Sequence, residues 1–549
     1  MSEIQATRRR LWRRLTLACG SALSLVSLTA CDLAPEYHPA TFVVPASWQG
    51  QGPFHVATPA DETLPTNWWT GFGDPMLNSL EDRATAGNAD LQASAERFIQ
   101  ARSMVVQARA QLLPHLGLEA GASDNKQSVN RLFRYKGPVT SADAYYQGVA
   151  SWEPDFWSEI RNQVRAQKQY AQQKAADFAM ARLSTQAELA TDYIELRGYD
   201  AQIAIYKQSI AYYQKALSIT QNQLENQAAP RLDVARAQAQ LYSTQAAELD
   251  IEAARGVTEH AIAILTNASP SSFHIPADQT LVFNNPNVPA GIPSELLQRR
   301  PDIASAERAM AQSNRDIGIA RAAFYPHINF NLLGGFDSNN LDLSTLSNSL
   351  WSYGAGLSMP LFEGGMRRAE LQRSWSEYRE TRDEYRHTVL AAFREVEDGL
   401  TNTNRLTLEN DAMQKAVAAT LATQNMTMTL YQGGVGTYLE AIFAQVQTLE
   451  TRIHQVEIAT RMYQAKVSLI RALGGGWDVK TLPTMDQTLS IDPLQYDHLH
   501  HPNTVGGVTI SQHPEQFENL ANPAPTAPAA SAGSQLTPLP SPSPAAQTH

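Results

Sequence analysis

The chain has 549 residues, 43% of them hydrophobic and 18% charged, with a formal net charge of -11. That balance leaves no basic surface large enough to neutralise phosphates, so nucleic acid is not expected as a partner. Beyond the amino terminus there is no run of about 18 apolar residues, so no helix is expected to span a bilayer and any insertion must use strands.

The amino terminus carries Arg8, Arg9, Arg10, Arg13 and Arg14, then an apolar stretch from Leu15 to Leu28, then Leu28-Thr29-Ala30-Cys31. Basic, apolar and small residues in that order make a secretory signal, here residues 1–30. Its end resembles a bacterial lipobox, in which the cysteine is lipidated and becomes the first residue of the mature chain. Cys19 falls in the removed segment, so only Cys31 remains and no internal disulfide is expected. Residues 31–75 then read as an acylated periplasmic segment. Asp32 stands beside the lipidated position, where an aspartate can mark inner-membrane retention in some bacteria.

After Pro75 the chain is written twice. The stretch from Gln107 to Leu116 (QARAQLLPHL) recurs from Ile319 to Ile328 (IARAAFYPHI), Pro154-Asp155-Phe156 answers Pro360-Leu361-Phe362, and Leu232-Asp233-Val234 answers Leu439-Glu440-Ala441. The two units are 76–290 and 291–477. Each opens on a proline-free helical stretch, from Pro75 to Pro114 and, shorter, from Pro301 to Pro326. Each then switches to alternation, giving strands at about 114–125 and 144–154 in the first unit and 326–338 and 349–360 in the second. Leu116, Leu118, Ala120 and Ala122 share one face, as do Ile328, Phe330, Leu332 and Phe336, and Trp351, Tyr353, Ala355, Leu357 and Met359. Apolar on one side and small or polar on the other suits a strand between lipid and an aqueous bore.

Long proline-free helices follow, predicted over 155–226 and 361–432. Leu189, Leu196, Ile203, Ile210, Leu217 and Leu224 recur every seven residues, which predicts a coiled-coil seam. Each long helix meets a turn, Asn226-Gln227-Ala228-Ala229-Pro230 or Gly433-Gly434-Val435-Gly436, and returns over 231–266 or 437–473. Residues 478–549 change character to a Pro, Ala and Ser-rich tail that cannot sustain a core and is expected to be disordered. His498, His500 and His501 in it have nothing nearby to fix ligand geometry, so no metal is expected. Lys126, Arg131, Arg134 and Lys136 between the first two strands read as a solvated loop. No phosphate loop, zinc helix or nucleophile elbow appears, so neither catalysis nor a cofactor is expected.

Four strands cannot close a barrel, because about eight is the smallest number that does. Open edges in lipid would leave backbone groups unpaired, so the chain must oligomerise. Two copies give a bore filled by side chains; three give twelve strands and a channel, which the small inward residues favour.

Several segments together carry a family resemblance: Trp68-Trp69-Thr70-Gly71-Phe72-Gly73-Asp74-Pro75-Met76-Leu77, the stretch from Ile292 to Ile303 (IPSELLQRRPDI), Pro360-Leu361-Phe362-Glu363-Gly364-Gly365, and Ala472-Leu473-Gly474-Gly475-Gly476-Trp477. They resemble the signatures of TolC-like outer-membrane factors of the NodT lipoprotein type, over about residues 31–477. The resemblance implies a mainly α protein with β: helical hairpins forming a periplasmic α-barrel, and four transmembrane strands per protomer in a twelve-stranded trimeric barrel. It also implies a homotrimer in the outer membrane lipid, docked to a periplasmic adaptor and an inner-membrane RND-type transporter for efflux of drugs or other small toxic compounds. The alternatives are a type I protein secretion channel and a lipid-anchored coiled-coil scaffold without a pore.

In the family the periplasmic end is shut by coiled-coil ends drawn together at the second turn. Carried over, the matching positions are Tyr431, the turn from Gly433 to Thr437, and Glu440. Phe443 stands where the family has a second carboxylate, and Gly436 where a basic residue is common, so a gate of one carboxylate ring plus one apolar ring is expected. The adaptor contacts are expected at the turns, on Gln227, Ala228, Ala229, Gly433, Gly434 and Gly436. Asp233 and Arg236 are the first-repeat counterparts and are expected to pair across to the second hairpin.

Overall fold

The structure, a computed structural model, describes residues 32–41, 45, 48, 65–130, 140–227, 230–278, 281–284, 286, 288, 293–338, 345–483 and 491. Cys31 and the signal before it, Arg131, Arg134, Lys136, Ala228, Ala229, and nearly all of the tail with its three histidines lie outside the described residues.

The first repeat runs α1 (Pro75–Gly87), α2 (Ala89–Ala110), β1 (His115–Lys126), β2 (Thr140–Trp152), α3 (Glu159–Glu225) and α4 (Arg231–Leu265). The second runs α5 (Pro301–Ala322), β3 (His327–Ser338), β4 (Ser349–Ser358), α6 (Met366–Gln432) and α7 (Tyr438–Ala472). Equivalent elements match in length: α2 and α5 have 22 residues each, β1 and β3 12, α3 and α6 67, α4 and α7 35. A 67-residue helix is about 100 Å long at 1.5 Å per residue. Among the described residues no helix is long and apolar enough to cross a membrane.

Several boundaries differ from the sequence reading, among them the start of β2, at Thr140 rather than about 144. The first helical stretch breaks at Asn88, whose side chain accepts hydrogen bonds from the Asp90 and Leu91 amides at 3.0 Å each and so starts a new helix. Its amide also donates to the Leu265 carbonyl at 3.0 Å, fixing the break against the end of α4. The long helices start later than expected, at Glu159 and Met366, because each strand exit needs a left-handed residue first. These are Ser158, with φ 58°, and Gly365, with φ 92°.

The four strands form one antiparallel sheet in the order β1-β2-β3-β4. Directly opposed residues share a face, so the register extends the alternation of each strand across the sheet. Leu118 opposes Gly148, Leu116 opposes Ala150, Ala150 opposes Leu332, and Leu332 opposes Tyr353. Tyr146 stacks on Phe336 at 5.3 Å and Trp152 on Phe330 at 6.1 Å. The result is one apolar face on which Leu118, Trp351 and Tyr353 are 80%, 73% and 75% exposed. The other face sets Glu119 against Gln147, joined by a 2.9 Å hydrogen bond, and Gly356 against Asn329.

Below the sheet the repeats pack side by side on a core that includes Phe72, Leu77, Tyr193, Leu196, Ile303, Met310, Val396 and Leu469. Most of the quoted motifs converge here. Asp74 caps α1 by accepting from Met76 and Leu77, and accepts the Tyr193 hydroxyl at 2.8 Å. Arg300 donates to Asp302, Glu395 and the Ala472 carbonyl, tying α5, α6 and α7 together. At Gly474, with φ 92°, a Cβ would stand 1.9 Å from the Arg299 carbonyl oxygen, so only glycine lets these segments meet.

The two faces of the sheet predict opposite responses to charge. Leu332→Arg places a guanidinium on the apolar face near mid-strand and is expected to cost about 2–4 kcal/mol in lipid, whereas Asn331→Arg on the other face is tolerated. Heat-resistant oligomer recovered from outer-membrane fractions should fall severalfold for the first and stay near wild type for the second.

Candidate gate at the hairpin ends

Burial along the α3 seam weakens toward its end. Leu189 and Leu196 are fully buried, Ile203 and Ile210 remain buried, and Leu217 and Leu224 are only partly covered. A small cluster then holds the hairpin ends together: Ala216 and Ala237 of the first hairpin with Tyr431, Tyr438, Ala441 and Ile442 of the second.

Tyr431 is the link between them. Its hydroxyl donates to Gln223 Oε1 on α3 at 2.7 Å, and its ring lies 5.6 Å from that of Tyr438. Burial and the nearby Asp233 carboxylate raise the Tyr431 hydroxyl pKa. Burial, with Tyr431, Asp233 and Tyr213 nearby, pushes Tyr438 up to about 12, so both stay protonated donors at neutral pH. Gln223 carries no mark in the sequence beyond its place near the turn, and sequence reasoning missed it.

The second turn is wound tightly on Tyr431. Gly434, with φ 75°, donates to the Tyr431 carbonyl, while Val435 and Gly436 both donate to the Leu430 carbonyl. A Cβ on Gly436 would lie 3.1 Å from the Tyr431 nitrogen, a tight fit against the turn. Thr437 then caps α7: its hydroxyl accepts from the Glu440 amide at 3.3 Å, and Glu440 Oε2 accepts from the Thr437 amide at 3.2 Å. Glu440 is exposed with one carboxylate oxygen in that capping box, and Phe443 one turn along is 65% exposed.

The first turn is built differently. Gln227 takes φ 57° and Pro230 begins α4. Asp233 pairs with Arg236 on its own helix, at 3.6 Å, instead of reaching the second hairpin as expected. Tyr431, Gly433, Gly434, Gly436, Thr437, Glu440 and Gln227 therefore all lie at the same end of the hairpins, and Tyr431 alone of these carries a bond between the two.

Comparison with known proteins places this architecture. The pattern of the family described as outer membrane efflux protein matches residues 80–268 and 292–475, one segment on each repeat. The pyoverdine export outer membrane protein OpmQ of Pseudomonas aeruginosa is 29% identical over 466 residues, covering 83% of this chain and 97% of its own. The cation efflux system protein CusC of Escherichia coli is 28% identical over 460 residues, covering 82% and 97%. In fold, the Campylobacter jejuni CmeC outer membrane channel superposes with a TM-score of 0.77 at 23% identity, covering 83% of this chain and 97% of that one. With both repeats matched and the fold shared along nearly the whole of these relatives, the chain belongs to the outer membrane efflux protein family.

Proposed function

We propose that three copies close into a twelve-stranded channel, anchored by acyl groups on Cys31, and that the tunnel is shut where the hairpins meet at Tyr431. The observation that carries this reading is the four-stranded sheet. It has one continuous apolar face and two outer strands, β1 and β4, that among the described residues are paired on one side only. A coiled-coil scaffold without a pore has no use for such a face. The turns at Gln227 and at Gly433, Gly434 and Gly436 are the most distal described parts of the hairpins, which suits them to a periplasmic adaptor, with an RND-type transporter beyond it. The relatives named above are described as exporting pyoverdine and cations, different cargoes on one scaffold. Cargo choice accordingly rests with the transporter, and small toxic compounds are the class we assign; a type I secretion role would use the same channel with a different partner.

In the gate, Tyr431 holds the second hairpin to the first while three copies of Glu440 and Phe443 supply a charged and an apolar ring. Tyr431→Phe keeps the ring packing and removes one neutral hydrogen bond, worth about 1 kcal/mol. Open probability in planar bilayers should rise about fivefold, as that energy implies; an unchanged value would remove Tyr431 from the gate.

Glu440 has two roles to separate, because alanine would break the capping box as well as remove charge. Glu440→Gln retains an acceptor for the Thr437 amide and loses only the charge. The cation-to-anion permeability ratio, read from reversal potentials in a salt gradient, is expected to drop by about twofold or more. An unaltered ratio would reduce Glu440 to a helix cap.

A further inference from the structure

Before the first helix, residues 32–37 run as a strap over the groove between α3 and α5, and the groove is built for them. Asn314, itself 1% exposed, donates from Nδ2 to the Pro35 carbonyl at 2.9 Å. Arg321 donates to the Leu33 carbonyl at 2.9 Å, and the Tyr37 hydroxyl donates to Glu307 Oε1 at 3.0 Å. Gly318 leaves the floor of the groove open: a Cβ there would lie 2.8 Å from the Ala34 Cβ. The strap thus fills space that any other residue at 318 would take.

Asp32 is the most heavily bonded residue of the strap. Its Oδ1 accepts from the Ala34 amide at 3.1 Å and from Nδ2 of the fully buried Asn162 at 2.9 Å. Its Oδ2 accepts from Arg315 Nη1 at 3.2 Å and from Arg165 Nη1. Partial burial alone would raise its pKa. The bonds from Asn162 and Ala34 and the charges of Arg165 and Arg315 outweigh that and hold it below the usual carboxylate range. Arg315 lies seven residues before the end of α5, and Arg165 six residues after the start of α3. At 1.5 Å per residue Asp32 is therefore bound about 10 Å along the helices from the ends that lead to the strands. Beside it an open cavity of about 490 Å³, lined by Leu33, Phe324, Tyr325 and Leu371, leaves room for a bulky neighbour.

We infer that the groove between α3 and α5 is the seat of the acylated amino terminus and that Asp32 is its peg, neutralised on the protein by Arg165 and Arg315. A carboxylate directly after a lipidated cysteine would otherwise lie free at the membrane surface. Seating turns it into an internal ion-pair partner and delivers the acyl chains next to the strands that enter the bilayer. This rests on the reading of Cys31 as lipidated, but the peg and the lipid can fail separately.

The test uses the full-length protein in its own membrane, with Ala34→Cys as a reporter read by the rate of maleimide labelling. The mature chain has one other cysteine, Cys31, whose thiol is blocked if lipidated. Labelling is expected to be slow in the reporter background. Asp32→Ala should speed it about tenfold, equivalent to about 1.4 kcal/mol of lost seating, and Gly318→Leu should do the same by filling the groove. A swap of charges, Asp32→Lys with Arg165→Glu and Arg315→Glu, should restore slow labelling, which a merely misfolded variant would not do. Equal rates with and without Asp32→Ala, in protein that still forms heat-resistant trimers, would overturn the peg. Labelling of the parent chain at Cys31 would overturn the lipid anchor while leaving the Asp32 comparison readable.

Discussion

A backbone amide or carbonyl in hydrocarbon has no water to bond, and leaving one unpaired costs several kcal/mol. The sheet meets that demand on three of its lines, β1·β2, β2·β3 and β3·β4, and among the described residues one side of β1 and one side of β4 have no strand beside them. The internal duplication supplies a pattern for pairing them. Within the protomer, β2·β3 is a junction between the last strand of one repeat and the first strand of the next. In the proposed trimer, β4 of one copy and the β1 of a neighbour stand in the same sequence relation, the end of one repeat against the start of another. In that proposal the register from Tyr146 to Phe336 and from Trp152 to Phe330, with its stacked aromatics on the apolar face, is the template for the contact between copies.

The same duplication separates a rigid middle from a looser end. Near the middle, a buried chain of polar groups runs from Asp74 through Tyr193, Arg197, Asp200 and Arg255 to Glu259. The two arginines also donate to the carbonyls of Pro276 and Ile275, in the connection between the repeats. Desolvating such charges is costly, and the cost is offset by the several hydrogen bonds that Arg197, Asp200 and Arg255 each make. Such a network suits a fixed collar better than a moving part. At the hairpin ends the burial of the seam fades, and a compact tyrosine cluster replaces it. Opening at that end can leave the collar intact, as expected when local stability varies along a structure.

How much of this was legible in sequence follows from how local each determinant is. Strand alternation, proline stops and heptads are written in neighbouring residues, so the strands, long helices and turns lie within a few residues of where the pattern puts them. Asn88 was equally local, an N-cap before Asp90 and Leu91, yet it was hidden by the absence of proline. The capping box of Thr437 and Glu440 is likewise local, as Thr-x-x-Glu before an apolar run. What no local pattern reveals is a partner far along the chain. Tyr431 finds Gln223 across 208 residues, and Asp32 finds Arg165 and Arg315 across 133 and 283. Those pairs exist only once the two repeats have packed.

The difference between the two turns bears on how a gate of this kind would be worked. The first turn is set by a proline and one left-handed glutamine, and among its described residues no bond to the tyrosine cluster is made. The second is a coil of amides folded back on Leu430 and Tyr431, so its conformation and the position of the Tyr431 ring cannot change independently. A partner that pulls on Gly433 to Gly436 therefore acts on a residue whose hydroxyl, a side chain's length away, holds the other hairpin. With about 1 kcal/mol in that hydrogen bond, the force needed to release it is small compared with what holds the collar. In the proposed gate, the second hairpin is accordingly the one that moves, and the first, with its seam packed on the core, is the wall it moves against.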